Sequence, residues 1–168
     1  SDADTYLASG WIGRYLDSSC APCQSAHHAI EVDDTLSMAL KGNSIKGMAV
    51  KNPEKLYQAT HNNFFSMVNS QNKPDSLSDP TLHYLYKTMA ETVSSAEFLY
   101  TRSKTISSRV EYPQNEFSRR LKTIAELIHA NINTKVYYLS LSGFDTHVNQ
   151  ENQHQRLLNI YSEGISAF

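Results

Sequence analysis

This sequence has little cysteine and tryptophan, and its positive and negative charges nearly balance. It contains 2 cysteines and 1 tryptophan, and its 15 basic residues face 17 acidic ones, for a formal net charge of -2. No run of like charges extends beyond a pair, so binding to nucleic acid or to an anionic membrane is not expected. No apolar stretch approaches the roughly 18 residues that cross a bilayer, so membrane insertion is not expected either.

The 168 residues have the length of one ordinary domain, and 40% of them are hydrophobic, which is enough to build a core. Both ends look cut, because the chain starts at Ser1 without a methionine and Phe168 falls inside a helical pattern without a stop signal. We expect residues 1–168 to be a single fragment of a larger domain, truncated at both ends. A removed signal peptide would leave no trace, so its absence does not argue for the cytoplasm.

Helical periodicity accounts for most of the chain. The expected helices run from Thr5 to Leu16, from Pro53, from Pro80 with Asp79 as its cap, after Pro113, and from Gln150 to the end. The face of the first that we expect to be buried carries Leu7, Trp11, Ile12, Tyr15 and Leu16. The core positions of the long helix are Leu82, Leu85, Met89, Val93, Ala96 and Leu99.

Three segments are strand candidates, namely 29–32, 44–50 and 135–143. The last of them reads as a buried strand followed by a loop and a helix, which is half of a crossover unit and needs a parallel neighbour. Because the two upstream candidates are weak, we expect the partner strands to lie outside this chain. The fragment is expected to be predominantly α-helical with a few short strands.

The stretch KVYYLSLSGFDTHVNQENQH places two polar side chains, Asp145 and His147, where an apolar run ends. Open parallel sheets bind ligands beyond the carboxyl ends of their strands, because the loops converge there. Carboxylate oxygen and imidazole nitrogen suit zinc, manganese or a similar divalent ion, and the two-residue spacing lets both reach one ion. A catalytic zinc takes about three protein ligands, so at least one more must come from elsewhere, and His154 is a candidate.

A structural interpretation of the same residues stays open. Asp145 or Asn149 can cap the last helix by accepting hydrogen bonds from its free amides, while His147 lies in a solvated turn. His154 lies further along that helix, where a lone histidine is more often a surface residue.

Cys20 and Cys23 form a C-x-x-C motif that His27 and His28 follow closely. A redox pair would need the motif after a strand and at the start of a helix, whereas here a helix precedes it. A structural zinc is chemically reasonable, although adjacent histidines face different directions, so that at best one would bind. The third interpretation is a local disulfide or two free thiols, and export of the protein would favour the disulfide.

Other basic and imidazole side chains favour ordinary roles. Arg119 and Arg120 could clamp a phosphate, but they lie on a helix whose other face is core, which favours a solvated pair. His61, His83 and His129 occur singly on helical patterns and are interpreted as surface residues or as hydrogen-bonded core residues.

Three segments resemble successive blocks of one bacterial family. They are GWIGRYLD, YPQNEFSRRLKTIAELI and VYYLSLSGFDTHVNQ, and the Gly-Phe-Asp-Thr-His-x-Asn-Gln block is the most specific. The family is the domain of unknown function numbered fifteen-oh-one, a branch similar to the alkaline-phosphatase and sulfatase superfamily. The resemblance spans Gly10 to Phe168.

The resemblance implies an α/β fold, an αβα sandwich around a mixed, mostly parallel sheet with metal ions at the strand ends. In that superfamily, metal-bound aspartates and histidines activate a serine or threonine nucleophile for hydrolysis of phosphate or sulfate esters. The resemblance would make Asp145 and His147 ligands of a zinc or manganese ion. The partner would be a small phosphate or sulfate ester, and the location periplasmic or secreted.

Two blocks of the family are missing from this sequence, the glycine-rich Gly-Gly-x-Asp-Gly opening and a later Asp-His-Gly. The remaining ligands and any nucleophile are therefore not in this chain, which we expect to be inactive in isolation. The expectation that the larger protein hydrolyses esters rests on the resemblance of fold alone. One rival is a non-enzymatic periplasmic or surface binding module, with Asp145 as a cap and the long helix from Thr81 as its interaction face. The other is a small redox module built on Cys20 and Cys23.

Overall fold

The computed structural model describes residues 7–19, 25–44, 46–71, 79–148 and 150–168. The helices in these ranges are α1 (Trp11–Ser19), α2 (Pro53–Thr60), α3 (Asn63–Gln71), α4 (Pro80–Ser103), α5 (Glu116–His129) and α6 (Gln150–Ala167). The strands are β1 (Ala29–Glu31), β2 (Met48–Ala49) and β3 (Val136–Tyr138), with 3-10 turns at Ala26–His28 and Met38–Leu40. The chain is thus a predominantly helical α/β structure, as the sequence predicts.

The three strands form one parallel sheet in the order β2-β1-β3. Ile30 pairs with Met48 on one side and with Tyr137 on the other. The expectation that the partner strands lie outside the chain is therefore wrong, because β1 pairs with both others. A parallel strand covered on both faces needs no alternation of polar residues, so this short apolar run gave only a weak signal.

The third strand differs from its prediction in length and in burial. Hydrogen-bonded pairing covers only Val136–Tyr138 of the predicted segment 135–143, and all three residues are half-buried. In contrast, all three residues of β1 are buried. The difference follows from position, since β1 is central in the described sheet and β3 lies at its edge.

Side-chain caps start three of the helices where the sequence places them. Asn52 Oδ1 accepts from the backbone N–H of Lys55 at the start of α2, and Asn115 Oδ1 does the same for Ser118 in α5. Asp79 accepts from the first turn of α4, with Pro80 at the first helical position. The helix α3 was not predicted, and residues 72–78, which follow it, lie outside the described ranges.

Helices cover both faces of the sheet. The main core joins the strands to α4 and α5, and its buried members are Ile30, Val32, Met48, Val50, Leu99, Ile124, Leu127, Ala130 and Ile132. The opposite face of β1 packs on α1 through Ile12, Leu16, Ala29 and Leu40. A third cluster, between α5 and α6, contains Phe117, Leu121 and Ala125.

The predicted core stripe of α4 is correct only in its second half. Ala96 and Leu99 are fully buried, whereas Leu82 and Leu85 are 45% and 55% exposed. The periodicity of the sequence shows which residues share a helix face but not how far along the helix a neighbour covers that face. Within the described ranges, no helix combines the length and hydropathy needed to span a bilayer.

The first helix buries only part of the predicted face, since Ile12 and Leu16 are buried but the aromatic members of the face are exposed. Its buried residues are Ile12, Gly13 and Leu16, while Trp11 is 68% exposed. The described helix starts at Trp11, and the residue before it, Gly10, donates its backbone N–H to the Lys41 carbonyl at 2.7 Å. A glycine face thus packs against backbone, and the aromatic face points outward.

Candidate functional site

Asp145 and His147 lie on the connection between β3 and α6. The Asp145 Oδ1 and His147 Nε2 atoms are 3.6 Å apart, so the structure brings the two side chains together. Both are almost wholly solvent-accessible, at 92% for Asp145 and 89% for His147. The arrangement is a pre-formed pair of an anionic oxygen donor and a nitrogen donor, held open to solvent.

His154 returns to the same loop from the second turn of α6. Its Nε2 lies 2.9 Å from the Phe144 carbonyl oxygen and 3.2 Å from Thr146 Oγ1. Its ring packs against that of Phe144, with centroids 5.5 Å apart. The structure thus places the candidate third ligand against the loop that carries the pair, with one ring nitrogen bound to the loop backbone.

The pair is not part of a larger cluster in the described part of the chain, where no group of three or more His, Cys, Asp or Glu side chains could hold a metal ion. The alternative of helix capping falls largely on Asn149, directly before Gln150, and that residue lies outside the described ranges. Asp145 lies five positions before the helix and contacts His147.

Cys20 and Cys23, which form the C-x-x-C motif, lie outside the described residues. The two histidines that follow are part of the packed structure. His28 is buried, and its Nδ1 accepts from the Ser25 backbone N–H at 3.2 Å. The ring of His27 lies 4.6 Å from that of Phe98 and 4.8 Å from that of His28. Burial lowers the pKa of both imidazoles below 6.5, and for His27 the neighbouring His28 lowers it further.

Acidification is expected to destabilise the fold in two steps. Because the pKa values of His27 and His28 lie below the unfolded value of 6.5, the unfolded chain binds more protons, and stability is lost as pH falls from 6.5 through their lowered values. The second step falls between 4.5 and about 2, since Lys51 and then Arg120 hold the Glu116 pKa at about 2. Urea midpoints measured from pH 8 to pH 3 check this.

Two variants identify the groups responsible for this pH dependence. The double change His27→Gln and His28→Gln should flatten the loss that begins below pH 6.5 while leaving the lower step in place. His129→Gln, at an exposed position on α5, is the matched control and should leave both steps unchanged. An unaltered upper step in the double variant would contradict the assignment.

A charged crevice of about 1450 Å³ lies at the carboxyl ends of β1 and β2, the edge at which parallel sheets bind ligands. Asp33 and Asp34 follow β1, Lys51 follows β2, and the first turns of α5 form the opposite wall. Lys51 Nζ lies 2.6 Å from Asp34 Oδ2 and 3.0 Å from Glu116 Oε1. These contacts connect the sheet edge to the start of α5.

Arg120 closes the same network from α5. Its Nη1 lies 2.5 Å from Asp33 Oδ2 and its Nη2 lies 2.8 Å from Glu116 Oε1. Its side chain is only 14% exposed, so the prediction of a solvated arginine pair is wrong for Arg120, whereas Arg119 is exposed. The ion pairs between these carboxylates and cations connect the ends of β1 and β2 to the start of α5.

Sequence reasoning missed this crevice although it contains a readable signal. Asp33, Asp34 and Lys51 directly follow the carboxyl ends of two strands, the same positional argument that identified Asp145. A pair of aspartates after a short strand is also typical of the start of a helical turn, and this hides their position at the sheet edge. Compared with family models, with curated proteins and with solved structures, this chain has no match in any of the three.

Proposed function

We propose that this chain is part of a metal-dependent hydrolase of phosphate or sulfate esters, with the αβα sandwich of the alkaline-phosphatase and sulfatase superfamily. Asp145 and His147 are two of its metal ligands. The observation that carries the proposal is the convergence of their donor atoms to 3.6 Å on the connection that follows a parallel strand.

The separation of the two donors fits a shared ion. Zinc binds imidazole nitrogen and carboxylate oxygen at about 2.0 to 2.2 Å, and two ligands of a tetrahedral ion with such bonds lie about 3.4 Å apart. The measured separation of 3.6 Å is close to this value. The near-complete exposure of both side chains leaves space for the ion and for further ligands.

The chemistry divides between the ion and the chain. A bound zinc or manganese ion supplies Lewis acidity toward an ester oxygen and lowers the pKa of bound water. Asp145 contributes a negative charge, and His147 contributes a neutral imidazole nitrogen. Because a catalytic ion takes about three protein ligands, the pair alone should bind weakly, and the isolated chain is expected to be inactive.

Titration of the isolated chain with Mn²⁺, followed by paramagnetic broadening of its amide NMR signals, tests the metal site. Mn²⁺ is the better probe because it prefers carboxylate ligands, whereas Zn²⁺ also binds cysteine thiolates. We expect broadening centred on Asp145 and His147. The double change Asp145→Ala and His147→Ala should weaken the binding at least about tenfold, which corresponds to a loss of about 1.4 kcal/mol.

Glu151→Ala is the matched control, because it removes an exposed carboxylate from the first turn of α6 near the same loop. It should leave the broadening in place. Equal broadening in the double alanine variant and in the native chain would contradict the metal site.

The hydrolytic part of the proposal needs the natural protein that contains these residues. With a panel of aryl phosphates and aryl sulfates as substrates, activity should depend on Zn²⁺ or Mn²⁺, disappear with a chelator and be absent from the double alanine variant. Chelator-insensitive hydrolysis, or none over the panel, would contradict it. A periplasmic or secreted location belongs to the same proposal.

A second candidate function is a non-enzymatic binding module. The observation that favours it is the first half of α4, where Leu82 and Leu85, three positions apart on one helix face, are 45% and 55% exposed. Such a module would bind a partner protein through this helix face, and binding would be unaffected by chelators. Loss of partner binding on Leu85→Ser, together with full binding by the Asp145→Ala and His147→Ala variant, would favour it over the metal site.

A further inference from the structure

We infer that Gln153 and His154 are positioning residues that clamp the backbone of the loop carrying Asp145 and His147, and that His154 acts through this contact rather than as the third metal ligand. The inference deepens the proposed function and rests on it for the role of the loop. The clamp itself is visible in hydrogen bonds that do not depend on a metal.

Two neighbouring side chains of α6 contact two neighbouring carbonyl groups of the loop. Gln153 Nε2 donates to the Gly143 carbonyl oxygen at 2.8 Å, and His154 Nε2 lies 2.9 Å from the Phe144 carbonyl oxygen. Thr146 Oγ1 lies 3.2 Å from the same imidazole nitrogen. The helix thus fixes the loop immediately before Asp145 and again between Asp145 and His147.

The chemistry of the His154 contact excludes metal binding through the same atom. A carbonyl oxygen only accepts hydrogen bonds, so Nε2 must carry the proton when it contacts Phe144. A protonated ring nitrogen has no lone pair for a metal ion. The contact therefore assigns Nε2 of His154 to the loop backbone. The other ring nitrogen, Nδ1, keeps its lone pair, but within the described residues His154 forms no group with Asp145 and His147 that could hold a metal ion.

The helix that carries the clamp, α6, packs both on the loop and on α5. Leu157, one turn after Gln153, is buried, and its Cδ1 lies 3.5 Å from the position that a Cβ on Gly143 would take. Gly143 has φ of +103°, a conformation that residues with a side chain rarely adopt. Further along α6, Gly164 packs closely on Phe117 of α5. The loop is thus anchored to α6, which in turn packs on α5.

Replacement of His154 by glutamine and by alanine separates a clamp from a ligand. Glutamine keeps an N–H donor near the position of Nε2 but is a poor ligand for zinc or manganese, whereas alanine removes both functions. We expect Mn²⁺ affinity to fall about tenfold in His154→Ala and in Gln153→Ala, as for other residues that orient metal ligands, and to stay within about twofold of native in His154→Gln. Gln155→Ala, exposed on the same helix, is the matched control.

A second readout is independent of the metal. The ¹⁵N order parameters of residues 144–147 should be about 0.85 in the native chain and in His154→Gln, and should fall below about 0.6 in the double change Gln153→Ala and His154→Ala. Circular dichroism of the same samples shows whether α6 remains folded. The comparison is made only between variants with native helix content.

The two readouts distinguish failure of the inference from failure of the proposed function. A loop that becomes mobile in the double alanine variant, with no Mn²⁺ binding by any variant, supports the clamp and contradicts the metal site. A loop with unchanged order parameters overturns the clamp. Loss of Mn²⁺ affinity in His154→Gln as large as in His154→Ala also overturns it, because His154 would then act as a ligand.

Discussion

Replacement of Leu127 by alanine is expected to lower the free energy of unfolding by about 2 to 5 kcal/mol, the range for truncation of a leucine in a packed core. Leu127 is 0% exposed and belongs to the main core with Ile30, Val50 and Leu99. It therefore connects α5 to the sheet and to α4 at one point. Removal of three carbon atoms leaves a cavity that the surrounding elements cannot close without moving relative to one another.

The neighbouring residue provides the control for this experiment. Ile128 has a side chain of the same composition on the same helix but is 49% exposed, so Ile128→Ala should cost much less than Leu127→Ala. Urea denaturation followed by far-ultraviolet circular dichroism gives both values under identical conditions. Equal losses for the two variants would show that α5 does not bury the face described above.

The second large effect concerns α1. Gly13→Ala should destabilise the protein by about 1 to 3 kcal/mol or more, which is the usual cost of overpacking. A Cβ on Gly13 would clash with the backbone of Lys41 and Gly42, and one on Gly10 would come within 2.5 Å of backbone atoms of Ala39. Backbone atoms cannot rotate aside as a side chain can, so α1 would have to move away from the sheet.

Two further alanine variants on α1 test whether the glycine face is the buried one. Ser18→Ala places an alanine at an exposed position of the same helix, where it removes only an exposed hydroxyl, and should be close to neutral. Trp11→Ala removes the largest side chain of the helix, which is 68% exposed, and should cost less than Gly13→Ala. If Trp11→Ala were the more damaging change, the face predicted from the periodicity would be correct and the packing described here wrong.

The sequence was informative where a signal depends on neighbouring residues. Asn52, Asp79 and Asn115 are followed by a proline or an acidic residue at the first helical position, and a cap acts within one turn of its own residue. The starts of α2, α4 and α5 could therefore be predicted. The sequence was less informative about α1. Two glycines decide which face of this helix packs against the backbone of its neighbour, but a glycine contributes nothing to a hydrophobic pattern.

The same difference between local signals and contacts distant in sequence applies to sheet pairing and to the candidate sites. The position of Asp145 and His147 after a strand could be predicted, and the structure adds their separation and exposure. The pairing of β1 with β3 and the contact of Arg120 with Asp33 could not, since both join segments that are far apart in the sequence. The contacts of His154 with Phe144 and Thr146 were hidden too, because periodicity does not show which atoms a helical histidine contacts.

The central position of the first strand has a consequence for synthesis of the protein. The hydrogen bond from Thr134 Oγ1 to the His27 carbonyl, next to the β1–β3 pairing, joins residues 107 positions apart. At translation rates of about 5 to 20 residues per second, the earlier strand therefore waits on the order of 5 to 20 s for its partner. During that interval an apolar strand edge is exposed on the nascent chain, so a chaperone that binds near the ribosome should raise the yield of native protein.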